Sequence, residues 1–516
     1  MRVDSAVPTI AEVLSKQGFA TAAFVGAFPL DRRFGLNRGF AAYGDQMPRT
    51  PDGRPSNERA GATVVDEALA WLTSHRSERF FLWIHLFEPH APYGDARRGG
   101  TTAVRYGEEI AEADRQIGRL VGSLGDAAAS TLIAVTSDHG EAFGEHGEIA
   151  HSIFVYDTTL RVPWILAGPG VDPRVIDAPV SLVDLAPTVM KLLGAGPFDA
   201  DGIALDSALR GGTVADRTLY AESFAPLLDF GWSPLRAVRA GGWKYIAAPK
   251  PELYDLTQDR DETRNAISGS QPTLEGATER ARSLDTVVSR YSSDQLPTSR
   301  AIDREANARL QALGYVSGRP TPGARPDPKD RRDVAARIAQ VTSGELHGPA
   351  LERLLREILA DEPGNPLANL RLGYVLVETG RCPAAEPHFR QAIAGKYPSA
   401  DAHLGLAGCQ AAKRDVKGAV TTLREAETVE PASPVVLANL GLMLSESGQP
   451  IQAIDPLRRA VSANPDLHQA RFALALALAE TGQRVEAEKQ ASELLRRLPS
   501  GAPQRPEVER LLAALK

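Results

Sequence analysis

Short apolar runs alternate with amphipathic stretches through the first half of the chain. Residues 9–18 read as a helix that stops at Gly18, and residues 21–26 (TAAFVG) follow as a strand. Residues 58–75 read as a helix and 80–87 (FFLWIHLF) as a buried strand. Residues 106–124 carry Ile110, Ile117, Leu120, Val121 and Leu124 near helical spacing, before a strand at 131–136 (TLIAVT). Shorter strands are expected at 164–167, 218–221, 235–238 and 243–246. Such alternation predicts an α/β class domain, a sheet sandwiched by helices, over residues 1–267. In folds of this kind polar loops after strand C-termini are the usual place for ligands.

Beyond residue 267 the periodicity is lost. The stretch RPTPGARPDPKDRR is rich in Pro, Arg and Asp, so 268–332 reads as a linker. Periodicity returns from 333 as internal repetition. Gly380, Arg414, Gly448 and Gly482 stand 34 residues apart, and so do Ala385, Ala419, Ala453 and Ala487. Pro363, Pro398, Pro431, Pro465 and Pro499 close successive units. A small alanine suits a crossing of two helices, and proline stops the second helix of each unit. A 34-residue period of this kind resembles the tetratricopeptide repeat. It implies an all-α solenoid over 333–502, with four clear repeats, a degenerate one before them, and a capping helix at 503–516.

Composition narrows the picture modestly. Of 516 residues 43% are hydrophobic and 24% charged, as in folded globular chains, and the length calls for at least two domains. The net charge of −7 gives no basic excess to draw the chain to nucleic acid. The two cysteines, Cys382 and Cys409, lie in repeat sequence without a CxxC pair and read as small buried apolar residues. The N-terminal residues lack a signal-peptide core, and the run at 80–87 is too short to span a bilayer, so no membrane segment is expected. The compartment stays open.

Chemistry concentrates in TLIAVTSDHGEAFGEHGEIAHSIFVYDTTLRVPWIL. A strand delivers Asp138 and His139 at its end, and His146 and His151 follow within a dozen residues. An isolated Asp-His turn usually satisfies backbone amides. Four such groups after one apolar strand point instead to a divalent-cation site.

Here the sequence resembles the sulfatases of the alkaline phosphatase superfamily. SDHGE, GEHG and YDTTLRVP are similar to that family's second metal motif, and HLFEPHAPY to its strand followed by Pro-His-x-Pro. VSLVDLAPTVMKLLG, WKYI and ELYDLTQDRDETRNAI agree with its later segments. The resemblance implies an alkaline-phosphatase-like fold and a hydrolase of sulfate or phosphate esters. It implies Asp138 and His139 as ligands of a divalent metal ion, Ca2+ first, with Mn2+ or Zn2+ as alternatives. His90 would contact a transferred sulfuryl or phosphoryl oxygen. His151 falls near the place of a leaving-group lysine, where an imidazolium can donate a proton; a solvent-facing histidine is the equal alternative. His85 and His146 read as packing residues. The repeats imply a protein or peptide partner in their groove.

The chain also departs from that family. Neither the Cys/Ser-x-Pro-x-Arg nucleophile turn nor the upstream Asp-x-x-Arg motif occurs; Leu296-Pro297-Thr298-Ser299-Arg300 has the wrong order. A front section is therefore expected to be missing, by a start site placed too late in preference to truncation or decay. Val25-Gly26-Ala27-Phe28 replaces the family's Gly-Lys-Trp-His, which leaves room for a phosphodiester or phosphonate. The competing function is a non-catalytic scaffold that works through its repeats.

Overall fold

The computed structural model describes residues 3, 6–48, 56–94, 100–268, 276–291, 325–343, 346–395, 397, 399–499 and 501–515. Pro398, the Leu296–Arg300 fragment and most of the expected linker lie outside them. The described residues fall into two compact units, one made by those up to 291 together with 325–343, the other by 346–515.

In the first unit the helix Ile10–Lys16 starts on a capping box. The Thr9 hydroxyl accepts from the Glu12 amide (3.1 Å), and the Glu12 carboxylate accepts from the Thr9 amide (2.9 Å). The chain then enters β1 (Ala20–Val25), which pairs in parallel with β2 (Ala42–Gly44) and β3 (Phe80–His85), in the order β2-β1-β3. Side chains alternate across this sheet. Ala22, Phe24, Leu82 and Ile84 pack against Val64 and Ala68 of the helix Gly61–His75. Phe81 faces the opposite way, into a cluster with Leu14 and with Met190 of the helix Leu185–Leu192. Helices thus cover both faces, as the alternating pattern predicts.

β4 (Ile133–Thr136) pairs antiparallel with β5 (Trp164–Ala167). β6 (Leu219–Ser223), β7 (Leu235–Ala240), β8 (Trp243–Ala247) and β9 (Glu252–Asp255) form an antiparallel meander. The helix Ala277–Tyr291 lays Ala281, Leu284 and Val288 on that meander. Sheet pairing is therefore mixed rather than uniformly parallel. The FFLWIH run of β3 is also less buried than its composition suggests: every residue is half-buried, because β3 is a sheet edge among the described residues. Ile165 on β5 is 59% exposed.

The helix Arg332–Thr342, placed with the repeats by the sequence reading, belongs to the first unit. It buries Val334, Ala335, Ile338 and Val341 there. The repeats begin with the helix Gly348–Asp361, and pairs follow from Pro366–Glu378 to Arg484–Arg497, closed by Arg505–Leu515. The alanine column is fully buried, each of Ala385, Ala419, Ala453 and Ala487 at 0% exposure. Cys409 is buried but Cys382 only half-buried, since it opens its helix rather than sitting within one.

The glycine column explains itself through the backbone. Gly380, Gly448 and Gly482 turn between paired helices at φ of 74°, 74° and 80°, and Arg414 adopts 64° in the same place. A side chain in the left-handed region costs roughly 1 kcal/mol relative to glycine. Arg414→Gly is thus expected to raise repeat stability by about 0.5–1 kcal/mol in urea unfolding. An unchanged or lowered midpoint would contradict that account.

Candidate active site

β4 ends at Thr136 and releases Ser137, Asp138 and His139 into a loop held near the start of the next helix by the Gly140 amide, which donates to the Thr159 carbonyl (2.7 Å). The loop closes on itself: the Ala142 amide donates to the Ala150 carbonyl and the Gly144 amide to the Glu148 carbonyl, each at 2.8 Å. That closure returns His151 over His139, with ring centroids 3.9 Å apart and planes 28° from parallel.

Hydrogen bonds orient each ring. His139 Nδ1 donates to the Gly140 carbonyl at 2.9 Å, which leaves the Nε2 lone pair 3.8 Å from Asp138 Oδ1. Asp138 itself is 76% exposed and accepts from the His139 amide. His151 Nδ1 donates to the buried Glu141 carboxylate at 3.1 Å, and the Tyr93 hydroxyl donates to the same carboxylate at 2.5 Å. His90 Nδ1 donates to the Ala91 carbonyl at 2.6 Å, and its ring stacks on Phe87 at 4.1 Å. Its centroid lies 6.0 Å from that of His151. Asp138, His139, His151 and His90 therefore gather at one strand end, from three separate segments of the chain.

The environment separates the two outer imidazoles. Burial alone would lower His151, but its hydrogen bond to Glu141 and the charges of Glu141, Glu148 and Asp138 outweigh it, so its pKa is raised. His90 is lowered, first by burial, with the Ala91 carbonyl opposing. Glu141 is pushed up by burial but pulled further down by His151 and Tyr93, and ends below the ordinary carboxylate range.

Glu148 completes the loop. Burial pushes it up to about 7, although its carboxylate accepts from the Ile153 and Phe154 amides. The folded value lies above the ordinary one near 4.3, so the folded state holds this proton more tightly. Its contribution to stability is full below about pH 4.3 and is lost as pH rises through about 7. Glu148→Gln, neutral throughout, should gain stability relative to the wild type across that window in thermal scans. A difference that stays flat with pH would rule this out.

Two histidines lie apart from this gathering in different ways. His146 stacks on Tyr156 at 3.8 Å, so the packing reading is the one its surroundings support. His85 ends β3 with its Nδ1 buried, as the core reading expects; burial lowers its pKa, and the charge of Asp138 opposes that shift. Glu141 and Tyr93 escaped the sequence reading altogether. Glu141 follows the SDHG motif directly, but Tyr93 joins it from 48 residues away, which no local pattern reveals.

His139 Nε2 and Asp138 Oδ1, 3.8 Å apart, are close enough to share one divalent cation; the carboxylate suits hard ions and the imidazole borderline ones. Among the described residues no group of three or more His, Cys, Asp and Glu side chains could hold one ion. Asp138 and His139 thus stand as a pair, without a third such side chain beside them among the described residues. A cavity of about 470 Å³ lies elsewhere, lined by Lys250, Glu252, Lys329 and Arg332 among others, and none of the four site residues lines it. Among the described residues no helix is long and apolar enough to cross a membrane.

These features define a class. The Sulfatase family model matches residues 3–195, and the tetratricopeptide repeat model matches 350–400, 370–434 and 439–502. Residues 3–195 are therefore a Sulfatase-family domain, and tetratricopeptide repeats follow over 350–502.

Individual relatives agree. Arylsulfatase K of Mus musculus is 27% identical over 263 residues, 45% of this chain and 47% of that protein. Choline-sulfatase of Rhizobium meliloti is 29% identical over 181 residues, 34% of each. Delta 4,5-hexuronate-2-O-sulfatase of Bacteroides thetaiotaomicron is 30% identical over 205 residues, 38% of this chain and 42% of that protein. The chain thus spans about half or less of the length of these relatives.

Proposed function

We propose that the first unit hydrolyses sulfate esters, with phosphate esters as the neighbouring class, and that the repeats bind a protein or peptide partner. The observation that carries this reading is the convergence of Asp138, His139, His151 and His90 at the end of β4. In this reading Asp138 and His139 hold a divalent cation, Ca2+ before Mn2+ or Zn2+. When bound, such an ion polarises an ester oxygen and offsets its developing charge.

The side chains then have distinct tasks. Glu141 fixes the His151 ring through Nδ1 and favours its protonated form, so Nε2 carries a proton for the departing oxygen. Tyr93 holds Glu141 in place and keeps its second oxygen bonded. His90, tethered through Nδ1 and with its ring 6.0 Å from that of His151, leaves Nε2 for the substrate. Burial keeps it neutral when alone, and an anionic sulfuryl or phosphoryl oxygen would draw it to the doubly protonated, donating form. No residue of this chain is assigned as the nucleophile, so the attacking group in this reading is water: its oxygen bonds to sulfur or phosphorus, losing a proton to solvent, as the bond to the leaving oxygen breaks and that oxygen takes the His151 proton.

The test uses 4-nitrophenyl sulfate, 4-nitrophenyl phosphate, bis(4-nitrophenyl) phosphate and a methylumbelliferyl sulfate with each cation added. Cation-dependent turnover of the sulfates is expected. His151→Gln should slow it by roughly 10²–10⁴-fold, most for the poorer leaving group. No turnover with any cation would sink the hydrolase reading and leave a non-catalytic scaffold acting through its repeats.

A further inference from the structure

We propose that residues 325–343 form a strap that fixes the loop carrying His151, and that Arg332 is its positioning residue. The strap is fastened along its length within the first unit. Its Pro326 carbonyl accepts from the Ser233 amide (2.9 Å), and its Asp327 carboxylate accepts from the Lys250 amide (2.8 Å). Asp327 is buried and paired with Lys329 at 3.0 Å, so this anchor is held from both sides. Beyond it, the helix Arg332–Thr342 buries four apolar residues.

Arg332 sits where the strap meets the loop. Its Nη2 donates to the Tyr156 hydroxyl at 2.8 Å, and its guanidinium stands 5.7 Å from the Phe154 ring and 5.9 Å from the Tyr156 ring. Tyr156 is 1% exposed and donates onward to Glu252 of β9 at 2.8 Å. The opposite end of the loop rests on the same tyrosine, because His146 stacks on it in a left-handed conformation, φ 54°. Gly147 adds a steric reason: a Cβ there would stand 3.0 Å from the Arg332 Cβ, so strap and loop touch backbone to side-chain root. Both ends of the stretch 146–156 thus bear on one Arg332–Tyr156 contact, and His151 lies between them. Arg332, the outer half of this clamp, comes from outside the loop's own sequence.

The catalytic meaning of the strap rests on the hydrolase reading; the clamp does not. Hydrogen exchange by mass spectrometry on the full chain tests it without turnover. Arg332→Ala is expected to speed exchange in peptides covering 142–155 at least about tenfold, with the β6–β9 meander and the repeats unchanged. Arg332→Lys keeps a charge but not the fork, and Tyr156→Phe removes the bonded hydroxyl; each should give a smaller rise in the same peptides. Should Arg332→Ala not fold, these two carry the test. Wild-type exchange in the loop, or a rise spread evenly over the first unit, would overturn the proposal. If the protein proves a hydrolase, Arg332→Ala should lower kcat with KM little changed. Local exchange without turnover would retain the clamp and reject only its catalytic use.

Discussion

Replacing Asp138 by alanine is expected to lower cation-dependent turnover of an aryl sulfate by at least about 100-fold while the fold survives. A bound cation supplies several kcal/mol of charge stabilisation. About 1.4 kcal/mol corresponds to tenfold, so losing even half of that effect reaches this range. The fold should be indifferent because the Asp138 side chain is 76% exposed and its bond to the described residues is the one to its neighbour's amide. Exposed substitutions of this kind usually stay within about 0.5 kcal/mol. His139→Ala should match it in turnover, and the double variant should be little worse than either, since both act through one ion. Turnover within about tenfold of wild type, or a loss of thermal stability in step with the loss of activity, would count against a shared cation.

The largest stability effect is expected at Lys244 on β8. Its ammonium lies 2.7 Å from Asp157 Oδ1 and 2.7 Å from Glu262 Oε1, with the lysine side chain 2% exposed and that of Glu262 1%. Burial raises Glu262, Lys244 opposes that rise, and Asp157 adds to it. Lys244→Met would leave Glu262 facing Asp157 without its cation, while Asp157 kept Arg239, at 3.2 Å. Breaking a buried ion pair from one side costs about 3–5 kcal/mol. In a unit of this size that is on the order of 10 °C in the thermal midpoint. Protonation of Glu262 relieves the repulsion, so the deficit should shrink as pH falls. Adding Glu262→Gln should recover much of it. The measurement is unfolding of the full chain, with the repeat transition as an internal control; a loss under about 1 kcal/mol would show that the charges were not mutually dependent. Because Asp157 directly follows the loop, the same variant tests whether the loop's far end is held from β8.

The repeats were legible because they are local and periodic. A column of small residues every 34 positions needs no long-range information, and even the odd member, Arg414, keeps the glycine conformation. The strand–loop motif around Asp138 and His139 was legible for the same reason: an apolar run followed at once by a carboxylate and an imidazole. What escaped notice depends on separation. Glu141 acquires its role from Tyr93, and Arg332 from Tyr156, 176 residues earlier. The proline-rich segment read as a linker because its composition lacks periodicity. Yet its described end docks on the first unit through one buried aspartate, and the short amphipathic helix read with the repeats follows it there. β3 differs from the other side: five apolar residues in a row predict burial, but exposure is set by which strands stand beside it.

In the proposed function, a carboxylate and an imidazole at the end of β4 grip one cation jointly. Calorimetric titration of the purified chain with Ca2+, and separately with Mn2+, measures this most directly. The expected result is a single saturable site whose affinity falls at least about 100-fold in Asp138→Ala and in His139→Ala, beyond the range typical of outer-shell changes. Undiminished binding in both variants, or no binding of either ion by the wild type, would contradict it.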